Sequence, residues 1–292
     1  MKFGIALGRV SSRTFVDVTV EADRLGFESV WLPEHLVMPV NMTSSPHPGE
    51  DVPPVPPNVH VFDCFAYLSY LAGLTERVRL GTHVYNLALR HPFVAARAVQ
   101  TLDVVSGGRL ELGIGASWLA EEWAAAGLDF HTRGRRMAEQ IVTLKRLWTE
   151  DSVLVQSDFD NLRYATLNPQ PGVPIPLWIG SGNTNAPYPA DNLLRRAARI
   201  ADGFIAMSLL PAERASELVT QLRGYVAEYG RDQSTFGIEG DITLTGKDPG
   251  GWQRETTLWR DAGADRLMLR MRDMTTADQL ANLRRYVEEI GT

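Results

Sequence analysis

The sequence predicts an α/β protein of the (β/α)8 TIM-barrel class, and three observations carry that prediction. Apolar strand-like runs alternate with helix-like segments along the whole chain, giving about eight strands, nearly all separated by helices. The length, 292 residues, is long for an ordinary domain and normal for one such barrel. The stretch from Arg77 to Ser117, RVRLGTHVYNLALRHPFVAARAVQTLDVVSGGRLELGIGAS, reads as strand, loop, helix, Gly-Gly turn, strand. A helical crossover of this kind returns the second strand parallel to the first. A doubly wound open sheet is the rival, and no GxGxxG follows the first strand to support it. Residues 1–292 read as a single domain.

The elements follow in order. Phe3–Leu7 is an apolar strand bounded by Gly8. Thr14–Leu25 has helical spacing at Phe15, Val18, Ala22 and Leu25, with Gly26 placed as a C-cap. Ser29–Leu32 is the second strand. The segment after it, Val37–Val59, is rich in Pro, Asn, Ser and His. A long loop leaving the carboxyl end of a strand suits a lid over a barrel mouth. Phe62–Leu74 is a helix, Val78–Val84 the third strand, His91-Pro92 the start of the next helix, and Arg109–Ile114 the fourth strand.

Arg133–Trp148 is a long amphipathic helix with Met137, Ile141, Leu144 and Trp148 on one face. Val153–Gln170 alternates around Asp158-Phe159-Asp160-Asn161 and predicts a β-hairpin inserted before the fifth barrel strand. The remaining strands are Leu177–Ile179, Gly203–Ala206, Phe236–Leu244 and Arg266–Met271. The helices between and after them are Asn192–Ala201, Pro211–Tyr229, Gly251–Ala262 and Thr276–Ile290.

Bulk properties narrow the function. The formal net charge of −6 argues against a nucleic-acid partner or an anionic membrane surface. Cys64 is the single cysteine, so no internal disulfide forms, and a reducing compartment fits. The opening MKFGIALGR reads as a strand and not a signal peptide, and no apolar run approaches membrane-spanning length. A cytoplasmic protein acting on a small molecule is the expectation.

In barrels of this class, chemistry collects at the carboxyl ends of the strands. The second strand ends in Pro33-Glu34-His35, and a histidine there can bind a substrate or move a proton near neutral pH. The bland alternative is a histidine packed under the loop. Gly180-Ser181-Gly182 ends the fifth barrel strand before a helix and suits a phosphate, although Gly-Ser-Gly is also an ordinary turn. Glu239 and Asp241 share one face of their strand, and Arg266, Met268, Arg270 and Arg272 share a face of the next. Pairing across the barrel interior is the first reading, and an anion site at Arg270 or Arg272 the second. Arg133, Arg135 and Arg136 open a helix against its macrodipole, with Glu139 as the default compensation. Cys64 is read as packing. No metal-spaced His/Cys cluster, GxSxG elbow or P-loop occurs, so no metal site is expected.

Four segments in this order, ADRLGFESVWLPEHL, the RVRL…GIG stretch, RGRRMAEQIVTLKRLW and PLWIGSGN…LLRRAARIADGFI, resemble the luciferase-like flavin and deazaflavin oxidoreductases. Within them the chain is most like the coenzyme F420-dependent branch. The resemblance covers nearly the whole chain. It implies a (β/α)8 barrel with an insertion before the fifth strand, and a homodimer, as members commonly are. It makes His35 the active-site histidine, His83-Val84 a bulge with a cis peptide behind the cofactor ring, and Gly180, Ser181 and Gly182 the cofactor phosphate loop. Trp118 and Arg270 are the expected substrate contacts. Two departures stand out. Pro39 and Trp118 occupy approximately the places where some F420-dependent members carry a tryptophan and a proton-donating glutamate, so Glu121 or Glu122 could serve only if the loop folds back. The resemblance implies an F420-dependent oxidoreductase passing a hydride to or from a small organic substrate. The alternatives are an FMN-dependent monooxygenase and a non-catalytic flavin- or deazaflavin-binding protein.

Overall fold

A computed structural model describes residues 1–8, 10–43, 58–181, 188–207, 210–272 and 274–291. Eight parallel strands close into a barrel: β1 (Lys2–Ala6), β2 (Ser29–Leu32), β3 (Arg79–Thr82), β4 (Leu110–Ile114), β7 (Leu177–Ser181), β8 (Gly203–Ala206), β9 (Gly237–Thr243) and β10 (Arg266–Arg270). β10 pairs with β1 and completes the ring. The remaining two strands, β5 (Val153–Gln156) and β6 (Asn161–Ala165), form the antiparallel hairpin before β7. The barrel and its inserted hairpin therefore match the sequence expectation. Of the Val37–Val59 lid, residues 44–57 lie outside the described residues.

The helices are α1 (Phe15–Leu25), α2 (Cys64–Ala72), α3 (Pro92–Val105), α4 (Ala120–Ala125), α5 (Arg133–Thr149), α6 (Asp191–Ile200), α7 (Ala215–Glu228), α8 (Pro249–Asp261) and α9 (Thr276–Ile290). Their ends follow local chemistry. The Asp63 side chain accepts from the Ala66 N–H at the start of α2, and Asp248 does the same for Gly251 in α8. Pro92 opens α3 and Pro249 opens α8, where a missing N–H costs nothing. Gly26, at φ 86°, closes α1 in the left-handed conformation.

The barrel interior is filled by two tryptophans lying over residues that have no side chain. A Cβ on Gly81 would overlap the Trp31 ring, and one on Gly203 or Gly237 would overlap Trp178. The two rings meet edge to face with centroids 6.5 Å apart. Large against small across facing strands is how such a barrel reaches close packing.

Three local expectations are corrected. β3 ends at Thr82, not Val84, because the chain leaves register at a cis peptide between His83 and Val84. Tyr85 then rejoins β4 through a single bridge to Ile114. Arg266 does not pair with Glu239. Its guanidinium reaches Glu111, which also takes Arg79. The compensation at the start of α5 comes from the hairpin and not from Glu139. Arg135 pairs with Asp158 at 3.2 Å and stands over the Phe159 ring, while Arg133 stands over Phe130. The closed β5–β6 hairpin carries Asp158 and Phe159 back over this helix, which residue spacing along α5 does not reveal.

Candidate active site at the barrel mouth

The carboxyl ends of β2, β3 and β4 build one connected site. After β4, Ser117 adopts φ 59°, uncommon for a residue with a side chain, and turns the chain back into the six-residue helix α4. That helix was not expected from the sequence. It delivers Glu122 to the loop that follows β2. The Glu122 carboxylate, with no exposed surface, accepts from Leu36 N–H at 2.6 Å, Val37 N–H at 3.4 Å and the Ser117 hydroxyl at 3.0 Å. His35 Nδ1 lies 3.2 Å from Oε2, the oxygen that also takes the Ser117 hydroxyl, while the two amides share Oε1. Burial works to raise the Glu122 carboxyl, but the hydrogen bonds and charge of His35, the Leu36 amide and Ser117 outweigh it and hold the group below the ordinary carboxylate range. The loop does fold back, yet it brings a carboxylate and not a proton donor.

Trp118 meets His35 edge to face, with ring centroids 5.8 Å apart. Its ring therefore flanks the histidine at the place where the resemblance leads one to expect a glutamate. Glu121 turns the other way and accepts from the Thr43 N–H and hydroxyl, each at 2.6 Å.

The neighbouring residue, Glu34, fixes the bulge after β3. It accepts the Asn86 N–H at 2.9 Å and pairs with Arg90, whose guanidinium lies 4.5 Å over the Tyr85 ring. Tyr85 exchanges backbone hydrogen bonds with Gly113 and Gly115. Sequence reasoning missed the roles of Glu34, Asn86 and Arg90. A carboxylate adjoining the histidine at a strand end was the one available signal.

Val84 projects over the mouth end of the barrel. A Cβ on either Gly115 or Gly180 would collide with its methyl groups. Gly180 thus makes room for Val84, whatever else its backbone does. Ser181 ends β7 and its carbonyl accepts the Met207 N–H at 3.1 Å. Gly182 lies outside the described residues. Across the barrel, Arg270 is 7% exposed, donates to Asp241 at 2.7 Å and lies 3.3 Å from His83 Nε2. Burial, followed by the Arg270 charge, holds His83 well below the usual imidazole range, so its ring is neutral and accepts from the guanidinium. The interior pairing expected for Arg270 is what the structure contains. A separate cavity of about 730 Å3 lies at the opposite, amino-terminal end of the strands, lined by Met1, Lys2, Pro176, Trp178, Gly237 and Arg266. It is away from every residue of the His35 network.

Comparison with known proteins identifies the family. The sequence pattern of the luciferase-like monooxygenase family matches residues 3–246. The chain is 31% identical over 255 residues to an F420-dependent glucose-6-phosphate dehydrogenase of Intrasporangium calvum, covering 85% of this chain and 70% of that protein. It is 30% identical to the Kineococcus radiotolerans protein of the same name, covering 83% of this chain and 67% of the other. A solved F420-dependent secondary alcohol dehydrogenase superposes with a TM-score of 0.78 over 99% of this chain and 98% of its own, at 15% identity, a likeness of fold. The resemblance read from the four motifs therefore holds, and the chain is an enzyme that belongs to the luciferase-like monooxygenase family.

Proposed function

We propose that this chain is an F420-dependent oxidoreductase that transfers a hydride between the deazaflavin and a small uncharged organic substrate, an alcohol in one direction and a carbonyl compound in the other. The observation that carries the reading is the His35–Glu122 pair at the carboxyl ends of β2 and β4, in a chain that has relatives named F420-dependent glucose-6-phosphate dehydrogenase. The described residues fit the cofactor. Val84, seated where Gly115 and Gly180 lack side chains, offers an apolar support for a flat ring. Ser181 follows Gly180 at the end of β7, where a phosphate would be held. F420, when bound, supplies the hydride chemistry. His35 moves the proton that accompanies it, and Trp118 forms an apolar wall beside the imidazole.

The relatives' phosphorylated sugar is not carried over. Among the described residues, Arg90 and Arg270 at these strand ends are already paired, with Glu34 and Asp241. Neither of these two guanidiniums is left over for a substrate phosphate. The second reading, an FMN-dependent monooxygenase, draws on the name of the family itself. We further propose, from the family resemblance and the single cysteine, a homodimer of single-domain chains working in the cytoplasm. No described helix is long and apolar enough to cross a membrane.

Parallel fluorescence titrations of cofactor-free protein with F420 and FMN test the reading. Preferential binding of F420, followed by reduction of F420 with a panel of simple alcohols, is the expected result. Preference for FMN would move the protein to the monooxygenase reading. Binding of neither would favour neither cofactor and end both enzymatic readings. A non-catalytic binding protein would bind cofactor without turnover.

A further inference from the structure

Glu122 holds the imidazole of His35 through Nδ1, and Nε2 has no hydrogen-bond partner among the described residues. A carboxylate can only accept, so the proton between the two groups belongs to His35 Nδ1 whether or not the ring is charged. The same carboxylate is pinned by two backbone amides and the Ser117 hydroxyl, so it cannot rotate away without losing three other bonds. The remaining acidic group beside His35, Glu34, is turned to Arg90 and the Asn86 amide, and Glu121 is turned to Thr43. Neither contends for the imidazole.

We propose that Glu122 is the positioning residue of this enzyme: it fixes His35 as the Nδ1–H tautomer and so leaves Nε2 as the basic nitrogen that exchanges a proton with the substrate hydroxyl. This rests on the oxidoreductase reading given above. In alcohol oxidation the hydroxyl O–H bond breaks and its proton forms an N–H bond at Nε2. A carbonyl forms as the carbon-bound hydrogen leaves with its electron pair, and bound F420, in its oxidised form, would supply the acceptor for that hydride. Glu122 remains a carboxylate throughout and balances the imidazolium. In the reverse direction the Nε2 proton returns to the oxygen. One histidine with a fixed tautomer thereby supplies the proton chemistry at a mouth where Trp118 stands in place of a glutamate.

A purely structural Glu122, an anchor for the loop amides alone, would behave differently on substitution. In Glu122→Gln, the amide oxygen still accepts from Leu36 and Val37. Its NH2, however, faces Nδ1 and donates, which drives the proton to Nε2. The decisive measurement is 15N NMR of the His35 ring in cofactor-free protein. Wild type should show the Nδ1–H tautomer, and Glu122→Gln the Nε2–H tautomer. In the loaded enzyme, Glu122→Gln should lower kcat by about 100-fold or more while KM changes less than about threefold, because only the transition-state step is affected. Glu122→Asp, still a carboxylate, should recover part of kcat.

An Nε2–H tautomer in wild type would overturn the proposal even if the variant failed to fold. So would an unchanged tautomer, or an unchanged kcat, in folded Glu122→Gln. If wild type neither binds nor reduces F420, the oxidoreductase reading fails. The tautomer measurement still decides whether Glu122 orients His35.

Discussion

Among the described carboxylates with no exposed surface, two, Glu122 and Glu239, stand in opposite states of charge. Glu122, at the mouth, collects hydrogen bonds from His35, two backbone amides and Ser117, and lies below the ordinary carboxylate range. Glu239, on β9 in the barrel interior, has neither oxygen hydrogen-bonded among the described residues. Burial pushes Glu239 up to about 8; Arg266 opposes this, and Glu111 adds to it. Arg266, its neighbour in register, gives its guanidinium to Glu111 instead. Burial is common to both sites, so the supply of donors decides the charge. The mouth holds an ionised carboxylate for use, whereas the interior holds a protonated one.

The largest expected effect is at the mouth. His35→Ala should lower turnover by a factor of about 10²–10⁴ while leaving cofactor affinity nearly intact. Steady-state kinetics beside a binding titration would check this, and equal turnover would remove His35 from the chemistry.

Next comes Glu239. Its folded value, about 8, lies above the ordinary 4.5, so the folded chain holds a proton that the unfolded chain has lost between those values. Stability from this group is present below about 4.5, falls by roughly 1.4 kcal/mol per pH unit through the window, and is gone above 8. Glu239→Gln, permanently neutral, should gain on wild type steadily from pH 5 to pH 8 in denaturant titrations. A constant difference across that range would mean Glu239 is ionised after all. Glu122 has the opposite sign. Its stabilising share is present above the ordinary carboxylate range and is lost as acid protonates it in the folded state.

Gly115→Ala probes the support under the mouth. The added methyl would overlap Val84, at a cost of about 1–3 kcal/mol in melting experiments together with weaker cofactor binding. Combining it with Val84→Ala should restore much of the stability. Absence of any coupling between the two would show that Val84 has room to move aside.

The smallest effect belongs to solvent. Arg135 and Asp158 form an ion pair whose side chains are 62% and 68% exposed. Arg135→Ala should change stability by no more than about 0.5 kcal/mol, by thermal or denaturant unfolding. A larger loss would point to the stacking on Phe159.

Most of the architecture was legible because it rests on local periodicity. The apolar stripe of α1 with Gly26 at its end, the His91-Pro92 start of α3, and the alternation of the β5–β6 hairpin all declare themselves within a few residues. The register break after Thr82 was not legible as a boundary, because His83-Val84-Tyr85 keeps the composition of a strand. Helix α4 was missed for a related reason: six residues are too few to show a period, and the turn that starts it depends on Ser117 taking a left-handed conformation. His35 stands out in the sequence because it ends a recognisable strand. Its partner was considered only conditionally.

The sequence by itself determined the barrel, the parallel crossover, the inserted hairpin and the strand end at which His35 stands, since each follows from spacing along the chain. Tertiary structure alone decided which carboxylate meets which donor. His35 and Glu122 are 87 residues apart, and Arg266 and Glu111 are 155 apart. Such partners are chosen by the closure of the ring and the fold-back after β4, and side chains that meet only there leave no periodic trace in the chain.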